Sequence, residues 1–233
     1  MRDVCARTPP ASKLPARRAR ALFSRRSGGT IIVPVRSIFS SPPPPETMPR
    51  TSAPQRYIAF LRAINVGKRL VKMDVLRALF QAMGFADVET FIASGNVIFT
   101  APAQDRRALE ARIEAELKKG LGYEVETFLR TPAELDAITK YRPFGGDADG
   151  HTVYVNFVYE PLPDDDVERL EALRTEVDEF HAHGREFYWL ARKKISESLV
   201  TGPMITKAIG KVPSTNRNIT TVQKLRAKYP VEG

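Results

Sequence analysis

The apolar side chains of this 233-residue chain change their period in a fixed order, and that order limits the folds open to it. Tyr57 to Ile64 is a near-continuous apolar run of strand length. Val71, Val75, Leu76, Leu79, Phe80 and Met83 then recur at three- and four-residue steps, the spacing of one helix face, and Gly84 stands where a left-handed cap is expected. Two β-rich runs, Val88 to Ala93 and Val97 to Thr100, flank Ser94-Gly95-Asn96, a composition suited to a tight hairpin. Pro102 to Lys119 carries Leu109, Ile113 and Leu117 at four-residue steps and predicts a second helix, with Tyr123 to Leu129 as the next strand. The order β-α-β-β-α-β is the split βαβ pattern, in which two helices cover one face of a four-stranded antiparallel sheet. The other face needs a partner or a ligand.

The same order resumes after a short helix at Pro132 to Lys140 and a Gly/Asp loop. Thr152 to Tyr159 reads as a strand, Asp164 to Phe180 as a helix with acidic residues at its positive end, and Arg185 to Ala191 as a strand. A further segment from Met204 to Ile209, then Thr215-Asn216-Arg217-Asn218, then a helix from about Thr220 to Tyr229 stopped by Pro230, completes the chain. The expected fold class is therefore α+β: two ferredoxin-like subdomains, residues 50–131 and 132–233, packed together.

Charge sets residues 1–49 apart. Nine Lys and Arg stand there against Asp3 and Glu46, with nine of the 18 prolines, leaving 27 basic and 25 acidic residues in the rest. The formal net charge of +9 thus belongs mostly to this tail, and the remainder lacks the excess that nucleic-acid binding draws on. The tail's composition predicts disorder. It resembles an organellar transit peptide in its arginines and serines, whereas Met48-Pro49 before a well-patterned strand reads as the true start, with upstream sequence translated in error. Its prolines would break an import helix, which favours the second reading. The lone cysteine, Cys5, lies in the tail, so the expected folded part offers no disulfide and no thiolate metal site. No apolar run reaches membrane-spanning length, and the expected location is the cytoplasm, or an organelle if the tail is a genuine transit peptide.

Three polar stretches fall where strands or helices should end: Arg62 to Gly67, Ser94 to Asn96, and Thr215 to Asn218. Arg62, flanked by apolar Leu61, Ala63 and Ile64, must reach solvent or meet a carboxylate, and either a structural ion pair or a bidentate grip on a phosphate or carboxylate satisfies it. Lys68, Arg69 and Lys72 add positive potential on the same loop. Asn65 and Asn96 can stabilise turns or orient a polar ligand. Arg217 and Asn218 precede the last helix, as a cap with a surface arginine or as an anion site at its positive end. Ser94 has no histidine in a recognisable triad order, and His181 and His183, two apart at an expected helix end, point to different faces. No catalytic residue, metal or cofactor is assigned.

The blocks YIAFLRAINVG, MDVLRALFQAMGF, VETFIASGNVIFT and TNRNITTVQKL, in this order, resemble the DUF1697 family, a domain family of unknown function, over roughly Gln55 to Tyr229. The resemblance implies a fold of two ferredoxin-like subdomains and marks Arg62, Asn65 and Gly67, then Ser94, Gly95 and Asn96, then Thr215, Arg217, Asn218, Thr221 and Leu225 as motif positions. The chain departs from that pattern at Lys68, Leu70 and Ile219, which bears on ligand contacts by the first loop's backbone. Three functions remain open. The first is binding of a small anionic molecule (nucleotide, sugar phosphate or carboxylate) in a polar cleft between the halves by Arg62, Asn65, Gly67, Ser94, Gly95, Asn96, Arg217 and Asn218. The second is weak single-stranded nucleic-acid binding through an open sheet face offering Tyr57, Phe91 and Phe99. The third is a non-catalytic interaction module.

Overall fold

The computed structural model describes residues 53–65, 70–93, 95–145 and 151–231. The tail, Gly67, Ser94, Lys68 and Arg69 lie outside the described residues, and so do the expectations attached to them. Residues 48–233 form one compact unit.

Six α-helices and eight strands are present among the described residues, in an α+β arrangement. β1 (Pro54–Leu61), α1 (Met73–Ala82), β2 (Ala86–Phe91), β3 (Asn96–Pro102), α2 (Arg106–Leu121) and β4 (Thr127–Arg130) come first. Their strands form an antiparallel sheet in the order β2-β3-β1-β4. After α3 (Pro132–Lys140) come β5 (Thr152–Phe157), α4 (Asp164–Glu171), β6 (Asp178–His183), β7 (Glu186–Ala191), a 3-10 turn (Ile195–Glu197), α5 (Gly202–Ala208), β8 (Thr215–Asn218) and α6 (Ile219–Lys228). The second sheet is ordered β6-β7-β5-β8, the same connectivity on new strands.

The continuous apolar run of β1 is explained by burial on both faces. Tyr57, Ala59 and Leu61 turn to a core with α1 and α2, holding Leu76, Phe80, Leu109 and Ile113. Ile58 and Phe60 turn the other way, to a core shared by both sheets with Phe128, Val155, Phe157 and Tyr188, closed by Leu135 and Ile138 of α3 and Val222 and Leu225 of α6. Phe60 and Phe157 stack there with ring centroids 3.9 Å apart. A third core lies on the other face of the second sheet, where Phe180, Phe187 and Trp189 meet Leu170 of α4 and Ile205 of α5.

Two expectations are corrected. Among the described residues no sheet face is left open for stacking bases: Tyr57 and Phe99 are buried under the helices, and Phe91 packs at the margin of the inter-sheet core. The helix expected from Asp164 to Phe180 ends at Glu171, and its second part is strand β6. Thr175 makes the break. Its Oγ1 accepts from the N–H groups of Val177 and Asp178, a local turn that competes with helix.

Candidate functional site

β1 ends where its backbone is needed by other segments. The Leu61 N–H donates to the Gly95 carbonyl at 2.9 Å, and the Arg62 N–H to the Glu126 carbonyl at 2.9 Å. Gly95 has a φ of +74°, and a Cβ there would lie 2.9 Å from Ile64 Cβ, so both backbone and space favour glycine. Asn65, itself at φ 57°, bridges the loop to the β2–β3 turn. Its Nδ2 donates to the Ala93 carbonyl at 2.8 Å, and its Oδ1 accepts from the Val71 N–H at 2.6 Å.

Asn96 is fully buried at the start of β3, where its Nδ2 donates to the Phe91 carbonyl at 3.0 Å. Its Oδ1 accepts from Arg217 Nε at 2.7 Å, across 121 residues of chain. The Arg217 guanidinium continues to the Leu61 carbonyl at 3.0 Å and the Gly95 carbonyl at 3.3 Å through Nη2, and to Thr215 Oγ1 and the Asn216 carbonyl through Nη1. It also stands 5.6 Å from the centre of the Phe60 ring. Burial pulls its pKa down to about 10. The end of β1, the β2–β3 turn and β8 are thus joined at one guanidinium. Asn218 is the N-cap of α6, its side chain accepting from the Thr220 N–H at 2.8 Å.

Arg62 has a different setting. Its side chain is 43% exposed and Nη1 meets Glu126 Oε1 at 2.6 Å. Nε and Nη2 have no protein acceptor among the described residues. Arg62 lines a hollow of about 520 Å³ on the α5 side of the second sheet. Asn156, Thr215 and Asn216 line it from β5 and β8, Trp189 from β7, Ser198 and Thr201 from the segment between the 3-10 turn and α5, and Thr206 from α5. Asn156 and Asn216 are cross-strand partners, which places both amides on that face, while Arg217, one residue on, turns to the inter-sheet side.

Of the residues expected at the site, Gly95, Asn96 and Arg217 come together, Asn65 supports the same turn, and Arg62 is the one that lines the hollow. The hydroxyl and amide residues from Asn156 to Thr206 escaped sequence reasoning. Their signal was the hydroxyl-rich run Ser196, Ser198, Thr201 and Thr206, set between two apolar segments.

A family profile described as a protein of unknown function, DUF1697, matches residues 55–188. The chain belongs to the DUF1697 family. The match takes in both sheets as far as β7 and stops before Thr215-Asn216-Arg217-Asn218, so the place of Arg217 in the DUF1697 fold rests on the contacts above. Among solved structures, that of a conserved bacterial protein from Streptococcus pneumoniae is 24% identical with a TM-score of 0.59, covering 75% of this chain and 98% of that chain. At that identity the likeness is one of fold. No curated protein matches the chain. No helix among the described residues is long and apolar enough to cross a membrane.

Proposed function

We propose that this DUF1697 protein acts in the cytoplasm by binding a small anionic molecule, a nucleotide, sugar phosphate or carboxylate, in the hollow beside Arg62. One observation carries the reading: Arg62, whose Nε and Nη2 have no acceptor among the described residues, lines a concave surface of hydroxyls and amides. The parallel Nε–H and Nη2–H groups suit a phosphate or carboxylate, while Nη1 is held by Glu126. Asn156, Ser198, Thr206 and Asn216 supply neutral donors and acceptors that set orientation. Trp189, Val200 and Ile205 add apolar wall for the body of the ligand. In this reading Arg217 and Asn96 hold the wall in place, and Asn65, Gly95 and Asn218 shape the turns around it.

The test is a thermal-shift screen of the chain against inorganic phosphate, nucleotides, sugar phosphates and dicarboxylates. A ligand at a hundred-fold excess over its Kd should raise Tm by about 5 °C or more. Arg62→Ala should abolish that shift while leaving the ligand-free Tm within about 2 °C, since an exposed ion pair contributes little. A panel without any shift, or a shift that persists in Arg62→Ala, would overturn the reading.

A further inference from the structure

The strand that replaces the end of the expected helix brings two of the three histidines to one face. His181 and His183 are two residues apart on β6, so both project to the side facing Tyr141, the residue that follows α3. The Tyr141 ring stacks on His183 with centroids 4.2 Å apart and 14° between planes. Its Oη lies 2.8 Å from His181 Nε2. On the far side of the same imidazole, Nδ1 stands 3.4 Å from Glu171 Oε1 at the end of α4. The order is carboxylate, imidazole, hydroxyl, contributed by three separate elements.

The carboxylate beside Nδ1 favours the tautomer of neutral His181 that carries its hydrogen on that nitrogen, which leaves the Nε2 lone pair to accept from the phenol. A proton leaving Tyr141 therefore has a defined destination, and the resulting imidazolium has a carboxylate beside it. Tyr141 also walls a hollow of about 540 Å³ between α3 and the β6–β7 hairpin, with Glu134, His183, Arg185, Glu186 and Tyr188. This hollow shares no lining residue with the one at Arg62.

We propose that Tyr141 is the reacting group of a second site, a phenol activated by His181 and Glu171 to take up an electrophilic acyl or phosphoryl group from a small molecule in this hollow. In the step, the Tyr141 oxygen forms a bond to the electrophilic centre, the bond from that centre to its leaving group breaks, and the phenolic proton passes to His181 Nε2. Glu171 holds the imidazole in orientation and balances its charge. The charged groups around the phenol are His181 and His183 on β6, Lys140 and Arg142 on either side of Tyr141, Glu171 on α4, and Glu134 with Arg185 and Glu186 across the hollow.

An arylsulfonyl fluoride tests the site, because its sulfur bonds to an activated phenol oxygen and expels fluoride. The full chain is treated at neutral pH together with N-acetyltyrosinamide, and the rate at Tyr141 is followed by peptide mass spectrometry. Tyr141 should react on the order of 100-fold faster than the free tyrosine derivative. His181→Gln keeps a hydrogen-bonding side chain but cannot receive the proton, and should bring the ratio close to one. Glu171→Gln, at an exposed position, should lower it roughly ten-fold. A ratio near one in the unaltered protein, or wild-type rates in both His181→Gln and Glu171→Gln, would overturn the proposal.

Discussion

Arg217 is a guanidinium with five N–H groups, and the protein places acceptors from three segments around it. Removing it takes away the donor shared by Asn96 Oδ1 and the Leu61 and Gly95 carbonyls where water has little access, so Arg217→Ala should lower stability by about 3 kcal/mol. Arg217→Lys should recover little, since one ammonium cannot span acceptors set out for a planar fork. Urea denaturation checks both, as a lower midpoint at an unchanged m value. Gly95→Ala acts on the same junction and should cost about 2 kcal/mol, from a positive φ and a methyl pressed on Ile64. The motif around Arg217 was visible in the sequence, but its direction was not. Residue type says that an arginine and two asparagines lie in a row; only the register of β8 on β5 says that the arginine turns inward and Asn216 outward.

α3 shows an element whose bounds sequence patterns set well. Thr131 and Glu134 form a reciprocal capping box ahead of Pro132, and the helix runs from Pro132 to Lys140 as its pattern predicts. Glu134 also receives Arg185 from the turn before β7. Burial alone would raise its pKa, but the Thr131 N–H and the charges of Arg185 and Arg130 hold it below the usual carboxylate range. A carboxylate whose folded pKa is depressed contributes stability above its unfolded pKa and loses it as pH falls through the folded one. Glu134→Gln should therefore cost about 1 kcal/mol at pH 7, the ion pair being partly screened, and the gap should close as pH drops below about 4. Thermal melts of both proteins across pH 3 to 7 give the comparison. α4 and β6 were less legible. Val167, Leu170 and Leu173 continue a helical step past the true end, and the alternation of Asp178, Phe180 and Ala182 is too short to compete without the third core that fixes it. The histidine pair was misplaced for the same reason, because two residues apart means opposite directions on a helix and one direction on a strand. The hollow at Arg62 was legible only at Arg62 and in the stretch that holds Thr215 and Asn216, since its other walls come from strands and turns that meet through tertiary packing.

At the scale of the whole molecule, two sheets of one connectivity share the core between them, with α3 and α6 closing its sides. Phe60 and Phe157 are the contact at its centre, so Phe157→Ala should destabilise the protein by about 3–5 kcal/mol and affect both sheets. Trp189, the single tryptophan, reports the second sheet, and far-UV circular dichroism reports both. The two signals should melt together in the wild-type protein, and separate transitions would show sheets that unfold independently. The carbonyl of Leu61 that Arg217 grips lies 156 residues earlier in the chain. During synthesis the first sheet therefore goes without this tie until β8 has left the ribosome. A transcript cut short before β8 would yield a first sheet whose β1 end lacks its clamp.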